Sequence, residues 1–248
     1  MASTEQIQKI KSLAKNGESV NTIKEKLEIP KSTVYYHFKK EVGQKQKEKA
    51  LKIPENPEIK GEICGIFAGD GNFYYEEKNY KYRINFTCNI NDDYWEELAD
   101  FLEKNLQKSP HINKQSRYNR VELRYESKTL LEFIKKHLEW KERNKGKTIN
   151  VKTLEKGKEF KKGFIRGLID TDGHKIKDQP AYNIGTISKN LMETTSRFLK
   201  ELDIENTLAR REDKRENYQD MYRISIWSED AQKINDKIRP RHPKKQFS

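Results

Sequence analysis

The sequence predicts an α+β protein in which a small all-α unit precedes two copies of one α-β-β-α-β-β-α half. Three observations carry that prediction. Residues 1–43 contain three short stretches with apolar residues at helical spacing. From residue 60 onward, helical and alternating stretches follow in an order that occurs twice. A glycine-acid string, Gly65-x-x-x-x-Asp70-Gly71, returns 102 residues later as Gly167-x-x-x-x-Asp172-Gly173.

At 248 residues the chain can bury a sizeable core, as one large domain or two to three small ones. Charged residues make up 36% against 33% hydrophobic, yet 12 Tyr, 10 Phe and 3 Trp accompany them, which predicts a folded protein with a very polar surface. The formal charge of +12 points to a polyanionic partner, because Lys and Arg that neutralise phosphates release counterions on binding. The excess is concentrated. Residues 1–60 hold 13 basic and 8 acidic side chains, residues 141–161 hold 8 and 3, and residues 239–248 hold 4 and none. Arms and connectors that track a nucleic-acid backbone have this pattern, a plain solvated face being the bland alternative. Cys64 and Cys88 have the spacing of neither a zinc site nor a disulfide framework, so a reducing, cytoplasmic setting is expected, nucleoid-associated with DNA as partner. No apolar run approaches the roughly 18 residues of a membrane span, and neither a signal peptide nor a membrane partner is expected.

In the first unit, Ile7, Ile10, Leu13 and Ala14 predict a helix over residues 4–16, ended by Asn16-Gly17. Ser19 caps a second bearing Val20, Ile23 and Leu27, and Glu28-Ile29-Pro30 turns the chain into a third over residues 31–40. Residues 1–43 thus read as a helix-turn-helix. Its third helix carries Lys31, Ser32, Thr33, Tyr35, Tyr36 and Lys39, types that reach phosphates and base edges from the major groove, while Val34 and Phe38 face the core. His37 reads as a polar or partly buried side chain, and a three-helix bundle for protein contact is the alternative. Residues 44–59, rich in Lys, Gln and Glu and then Pro54 and Pro57, read as a linker.

The first half spans residues 60–140. Ile63, Ile66 and Phe67 stripe a short helix closed by Asp70-Gly71. Strands follow over residues 73–76 and 82–89 around a Lys-Asn-Tyr-rich turn, the second alternating Tyr82, Ile84, Phe86 and Cys88 on one face. Asp92 or Asp93 caps a helix with Trp95, Leu98, Phe101, Leu102 and Leu106; strands near 111–114 and 121–126 and a helix with Leu130, Leu131, Phe133, Ile134 and Leu138 complete the half. After a basic connector, residues 141–161, the order repeats over residues 162–238. Helix 163–169, strands 174–177 and 182–188, helix 191–202, strands near 206–210 and 221–227, and helix 230–238 make up this copy, with a basic tail over 239–248. Detail recurs too. Leu123, Tyr125 and Ser127 answer Ile224, Ile226 and Ser228, and Phe101-Leu102 answers Phe198-Leu199.

The paired strings in this repeated order resemble the LAGLIDADG homing endonuclease family in its single-chain, two-motif form, here with an N-terminal helix-turn-helix. The resemblance covers about residues 60–248. It implies two pseudo-symmetric half-domains whose antiparallel sheets form a saddle over DNA, with the motif helices crossing side by side at their junction. Residues facing the partner helix must then be small, and Gly65 and Gly69 in one helix, Gly167 and Thr171 in the other, meet this at i, i+4 spacing. The resemblance also implies that Asp70 and Asp172 project together as catalytic acids. With Gly69 and Thr171 beside them they would hold Mg²⁺ (or Mn²⁺), leaving positions for water and phosphate oxygens. A basic residue after each half's last helix is implied as well: Lys141 is the catalytic candidate in the first half, while Arg241, Lys244 and Lys245 compete in the second and are candidate DNA contacts. Arg83, Asn85, Thr87 and Asn89, and Asn183, Thr186 and Ser188, are the strand positions expected to face the major groove. The motif's first acid is Ala68 in copy one and Asp170 in copy two, where the family uses it to support the helix end. Arg166 takes a position usually small and is expected at solvent or phosphate.

The expected function is Mg²⁺-dependent, site-specific cleavage of both strands of duplex DNA by a monomer. A non-cleaving DNA-binding transcriptional regulator and an RNA-binding splicing helper (maturase) on the same fold are the alternatives, and retention of both Asp70 and Asp172 favours the nuclease. The starting Met and the absence of flanking splicing segments lead to the expectation that the chain is not an intein. Outside the resemblance, each Asp-Gly is an ordinary helix-end turn, His174 is structural, and Trp95, Trp140 and Trp227 are packing residues.

Overall fold

Local capping chemistry starts the first unit. In α1 (Thr4–Lys15) the Ser3 hydroxyl accepts from the Gln6 N–H while the Gln6 side chain accepts from the Ser3 N–H, satisfying two otherwise orphaned donors. Ser19 caps α2 (Val20–Leu27) through the Thr22 N–H, and a left-handed Glu28 (φ 52°) turns the chain into α3 (Lys31–Val42). Ile10, Ala14, Ile23, Ile29, Val34 and Phe38 close a core of their own. The computed structural model describes residues 2–42, 51–77, 81–152, 156–176, 179–212 and 219–246. The turn at 78–80, residues 44–50 of the linker and the strand end at 177 lie outside the described residues.

The first half contains α4 (Pro57–Asp70), β1 (Gly71–Glu76), β2 (Lys81–Asn89), α5 (Tyr94–Leu106), β3 (His111–Gln115), β4 (Arg120–Glu126) and α6 (Lys128–His137). Then come β5 (Leu138–Glu139), α7 (Lys145–Thr148) and β6 (Asn150–Val151), the two short strands pairing with each other. The second half contains α8 (Lys158–Asp172), β7 (Gly173–Lys175), β8 (Ala181–Thr186), α9 (Lys189–Lys200), β9 (Thr207–Arg211), β10 (Met221–Trp227) and α10 (Ser228–Lys233), which continues as a π-helical turn over Ile234–Ile238. Both four-stranded sheets are antiparallel with one topology, β1-β2-β4-β3 and β7-β8-β10-β9. The α+β class and the repeat read from the sequence are therefore what the chain forms.

Each sheet buries one face. Ile84, Phe86, Val121, Leu123 and Tyr125 of the first, and Tyr182, Ile184, Ile224 and Ile226 of the second, join one continuous core with both motif helices. The motif helices begin earlier than their apolar stripes suggest. Pro57 presets the first turn of α4, and the Asn56 side chain accepts from the Glu58 and Ile59 N–H groups, so the helix starts inside the stretch read as linker. At α5, Asp93 makes no side-chain cap bond, and Asp92 accepts from the Tyr94 N–H at 3.4 Å instead.

Missing side chains let α4 and α8 touch backbone to backbone. A Cβ on Gly163 would lie 1.8 Å from the Glu58 carbonyl oxygen; on Gly61, 2.0 Å from that of Phe160; on Gly65, 2.1 Å from that of Phe164; and on Gly167, 2.3 Å from that of Glu62. Gly65 and Gly167 have the packing role the sequence predicts. Gly61 and Gly163 share it at the preceding i−4 positions, and Gly69 faces the side chain of Thr171.

Candidate functional site

Because α4 and α8 cross so closely and end in register, their C-termini meet. Asp70 and Asp172 are the last residues of the two helices, each followed by a glycine in extended conformation (φ −76° at both). Close approach, rather than a left-handed backbone, requires glycine here: a Cβ on Gly71 would meet Phe67 at 2.5 Å and one on Gly173 would meet Ile169 at 2.5 Å. Helix C-termini carry partial negative charge and free carbonyl oxygens. Two carboxylates added to that make a strongly anionic spot.

The acids feel this crowding. Burial raises the Asp70 carboxyl above the ordinary range. Burial, reinforced by the charge of Asp70, pushes Asp172 up to about 7. Asp70 does touch solvent and Asp172 is half-buried; surrounding protein nevertheless weakens their hydration.

Two lysines answer the charge. Lys145 Nζ donates to the carbonyls of Ala68 (2.9 Å) and Gly69 (3.1 Å) at the end of α4. Lys245 Nζ donates to those of Ile169 (2.9 Å), Asp170 (2.7 Å) and Thr171 (3.0 Å) at the end of α8. Desolvation lowers the Lys145 ammonium to about 8 against the pull of Asp172 and Asp70, and lowers Lys245 against Asp170, Asp70 and Asp172.

These contacts revise two expectations, for Lys141 and Arg166, and choose among the second-half candidates. Lys141 is exposed, and its backbone N–H donates to Thr148 Oγ1; Lys145, four residues on, is the lysine at the acids. In the second half Lys245 holds that place. Lys244 pairs instead with Asp92 at 3.4 Å, and Arg241 is drawn to Glu62 and lies over the Phe101 ring. Spacing does not single them out, since Lys145 and Lys245 follow Asp70 and Asp172 by 75 and 73 residues while Lys141 and Lys244 follow them by 71 and 72. Arg166 faces neither solvent nor phosphate. It is 8% exposed, pairs with Glu58 and with fully buried Glu62, and donates to the Ile238 and Arg239 carbonyls. A charge inside the helix pair needs such partners, and Glu62 serves both Arg166 and Arg241.

Asp170, only 2% exposed, accepts from the N–H groups of Arg241 and His242. It thus fastens residues 239–246 against α8 with Lys245 in place, and burial pushes its carboxyl up to about 7 despite those bonds. His242 stacks on Tyr94 and pairs with Asp92 at 3.2 Å, tying the same strap to the first half.

On the sheet faces turned away from the helices, Arg83, Asn85, Thr87 and Asn89 alternate with buried Ile84 and Phe86, as expected. Asn183 lies on the corresponding face of β8, where Ser225 Oγ contacts its side-chain oxygen at 2.8 Å. Thr186 and Ser188 do not. Thr186 shares its parity with buried Tyr182 and Ile184, and Ser188 is fully buried as the N-cap of α9, accepting from the Leu191 N–H and donating to the Ile149 carbonyl. In α3, Lys31, Ser32, Tyr35 and Tyr36 are exposed, Thr33 and Lys39 are half-buried, and Lys39 Nζ sits 5.6 Å from the Tyr35 ring centre.

Among the described residues no cluster of three or more His, Cys, Asp or Glu could hold a metal ion. Two mutually repelling carboxylates at paired helix C-termini nevertheless suit Mg²⁺, which keeps several waters and takes only one or two carboxylates beside substrate phosphates. The carbonyls of Gly69 and Thr171 accept from the two lysines.

A family model for a LAGLIDADG-like domain matches residues 159–239. An uncharacterized protein of Methanocaldococcus jannaschii, MJ0398, is 26% identical over 241 residues, covering 90% of this chain and 83% of that one. Among solved structures, a variant of the homing endonuclease I-DmoI in complex with its target DNA and in the presence of manganese is 25% identical, with a TM-score of 0.56 over 74% of this chain and 94% of the other. The N-terminal LAGLIDADG domain of DUF199/WhiA shares the fold alone, at 14% identity and a TM-score of 0.50 over 75% and 85%. The resemblance read from the paired motifs is shown by these matches.

Proposed function

We propose that this protein, built on the two-motif LAGLIDADG fold, is a site-specific endonuclease that hydrolyses one phosphodiester on each strand of duplex DNA. One observation carries the reading: crossing of α4 and α8 sets Asp70 and Asp172 at one point, flanked by Lys145 and Lys245. Asp70 and Asp172 would hold Mg²⁺ or Mn²⁺, with Gly69 and Thr171 beside them as further candidate ligands through their carbonyls. Bound there, a divalent ion supplies Lewis-acid charge for the phosphate and lowers the pKa of a bound water. Lys145 and Lys245 keep positive charge beside a scissile phosphate, and Lys145 Nζ, with its pKa lowered to about 8, can also release or regain a proton near neutrality. One chain contributes both acids, so a monomer suffices.

The open sheet faces and the exposed side of α3 supply the surfaces for groove contacts, α3 lengthening the footprint as the recognition helix of a helix-turn-helix. The independent core of the three-helix unit also favours a second reading, a DNA-binding regulator that does not cut. Incubating selected target duplexes with Mg²⁺ or Mn²⁺ separates the two. A nuclease makes a double-strand break that Asp172→Asn abolishes while binding persists, whereas binding without a break in either metal establishes the regulator.

A further inference from the structure

The two sheet faces turned away from the helices share one strand order yet differ in electrostatics. In the first half, cross-strand register puts Lys81, Arg83, Arg120 and Arg124 on that face together with Glu76, Glu122 and Glu126. The acids are distributed among the cations. Glu126 meets Arg83 at 3.2 Å and Lys81 at 3.3 Å, Glu122 meets Arg124 at 3.1 Å and Arg120 at 3.3 Å, and Glu76 also reaches Arg83. Neutral groups extend the lattice: Arg124 donates to Asn85 at 3.1 Å and Asn113 to Glu122 at 3.3 Å. These are not loose surface pairs, because the side chains of Arg83, Arg124, Glu122 and Glu126 are only 13–27% exposed.

In the second half the same positions hold Asn183 and Gly185 on β8, Thr207, Ala209 and Arg211 on β9, Met221, Arg223 and Ser225 on β10, and His174 on β7. None of these is acidic. Among the described residues Arg211, which is exposed, and Arg223, which is half-buried, form no ion pair.

A phosphate approaching the first face gains little. An arginine that turns toward it must abandon a glutamate, and the stranded carboxylate then lies within a few ångströms of the phosphate it would repel. Base edges fare differently, because a guanine can take the arginine at O6 and N7 while a cytosine N4 amino group donates to the glutamate. The second face has no such restriction, and its arginines attract phosphates of any sequence.

We infer, on the duplex-binding reading above, that the halves divide recognition. Arg211 and Arg223 supply sequence-independent attraction, while the lattice of Arg83, Arg124, Glu122 and Glu126 withholds affinity until matching base edges replace its internal pairs. Glu122 and Glu126 are thereby specificity-determining residues that act against the wrong DNA.

Fluorescence anisotropy on a random-sequence duplex across 50–200 mM salt tests this in the full chain. Arg211→Ala with Arg223→Ala lowers the slope of log affinity against log salt by about 0.9 per arginine, roughly a threefold change in salt sensitivity each over that range. Arg83→Ala with Arg124→Ala leaves the slope at the wild-type value. Glu122→Gln with Glu126→Gln steepens it and tightens binding at low salt, and sites selected by that variant lose constraint across one half. A slope unchanged by the glutamine pair, or an equal loss from the two arginine pairs, overturns the division. Wild-type protein without salt-dependent duplex binding would overturn the duplex-binding reading itself, an outcome distinct from either.

Discussion

Gly163→Ala tests whether backbone contact between α4 and α8 holds the fold and its site together. The new Cβ would start 1.8 Å from the Glu58 carbonyl oxygen, a rigid backbone atom. Restoring the shortest ordinary contact, 3.4 Å, requires the helices to part locally by roughly 1.5 Å, against a core that packs both of them. Alanine's better helix propensity returns about 1 kcal/mol. Overpacking of this severity costs about 3 kcal/mol or more, leaving a net loss of about 2–3 kcal/mol. For a folded body of this size that lowers the melting temperature by about 4–12 °C. Scanning calorimetry reads the shift directly, with Gly146→Ala as control, because its Cβ would meet only Ile187 at an ordinary 3.4 Å. A Gly163→Ala protein melting within about 2 °C of the control, less than the smallest shift expected, would refute backbone contact as the constraint. Separation also draws Asp70 from Asp172, so divalent-ion affinity should fall in the same variant.

Since Asp172 is pushed up to about 7, it is increasingly protonated and unable to ligate as pH falls through that value, and Mn²⁺ affinity by calorimetry should drop about tenfold per unit below about pH 7 and level off above it; a flat profile between about pH 8 and pH 6 argues against Asp172 as the ligand. Arg166→Met leaves Glu58 unpaired and buried Glu62 with Arg241 alone, costing about 3 kcal/mol in urea denaturation, and adding Glu62→Gln should recover part of the loss; no recovery would mean packing rather than charge explains the cost. Lys31→Ala with Lys39→Ala in the full chain should reduce the salt slope of duplex binding by about 0.9 for each phosphate no longer neutralised, an unchanged slope removing α3 from the interface.

Periodicity and repetition are legible without coordinates. The apolar stripes of α5, α6 and α9, the alternation of β2 and the return of Gly65, Asp70 and Gly71 as Gly167, Asp172 and Gly173 are local or pairwise signals, and they lead to the fold class and the two acids. Strand parity also puts Arg83, Asn85, Thr87 and Asn89 on the face opposite Ile84 and Phe86, because alternation propagates along β2. Tertiary structure alone decides which basic residues reach the acids. Lys141 and Lys145 are equivalent by charge, but α7 turns only Lys145 onto the free carbonyls of α4, while Asp170 and Glu62 pin residues 239–246 so that Lys245, rather than Arg241 or Lys244, meets α8. Arg166 departs from its expected place for the same reason: its partners Glu58 and Glu62 lie more than 100 residues away, and the burial that makes them necessary exists only once the two glycine-lined helices touch. The sequence by itself determined that two like halves would each bring an acid to a helix end; the approach of those helices decided what surrounds the pair, because contact across the junction depends on distances that no spacing along the chain encodes.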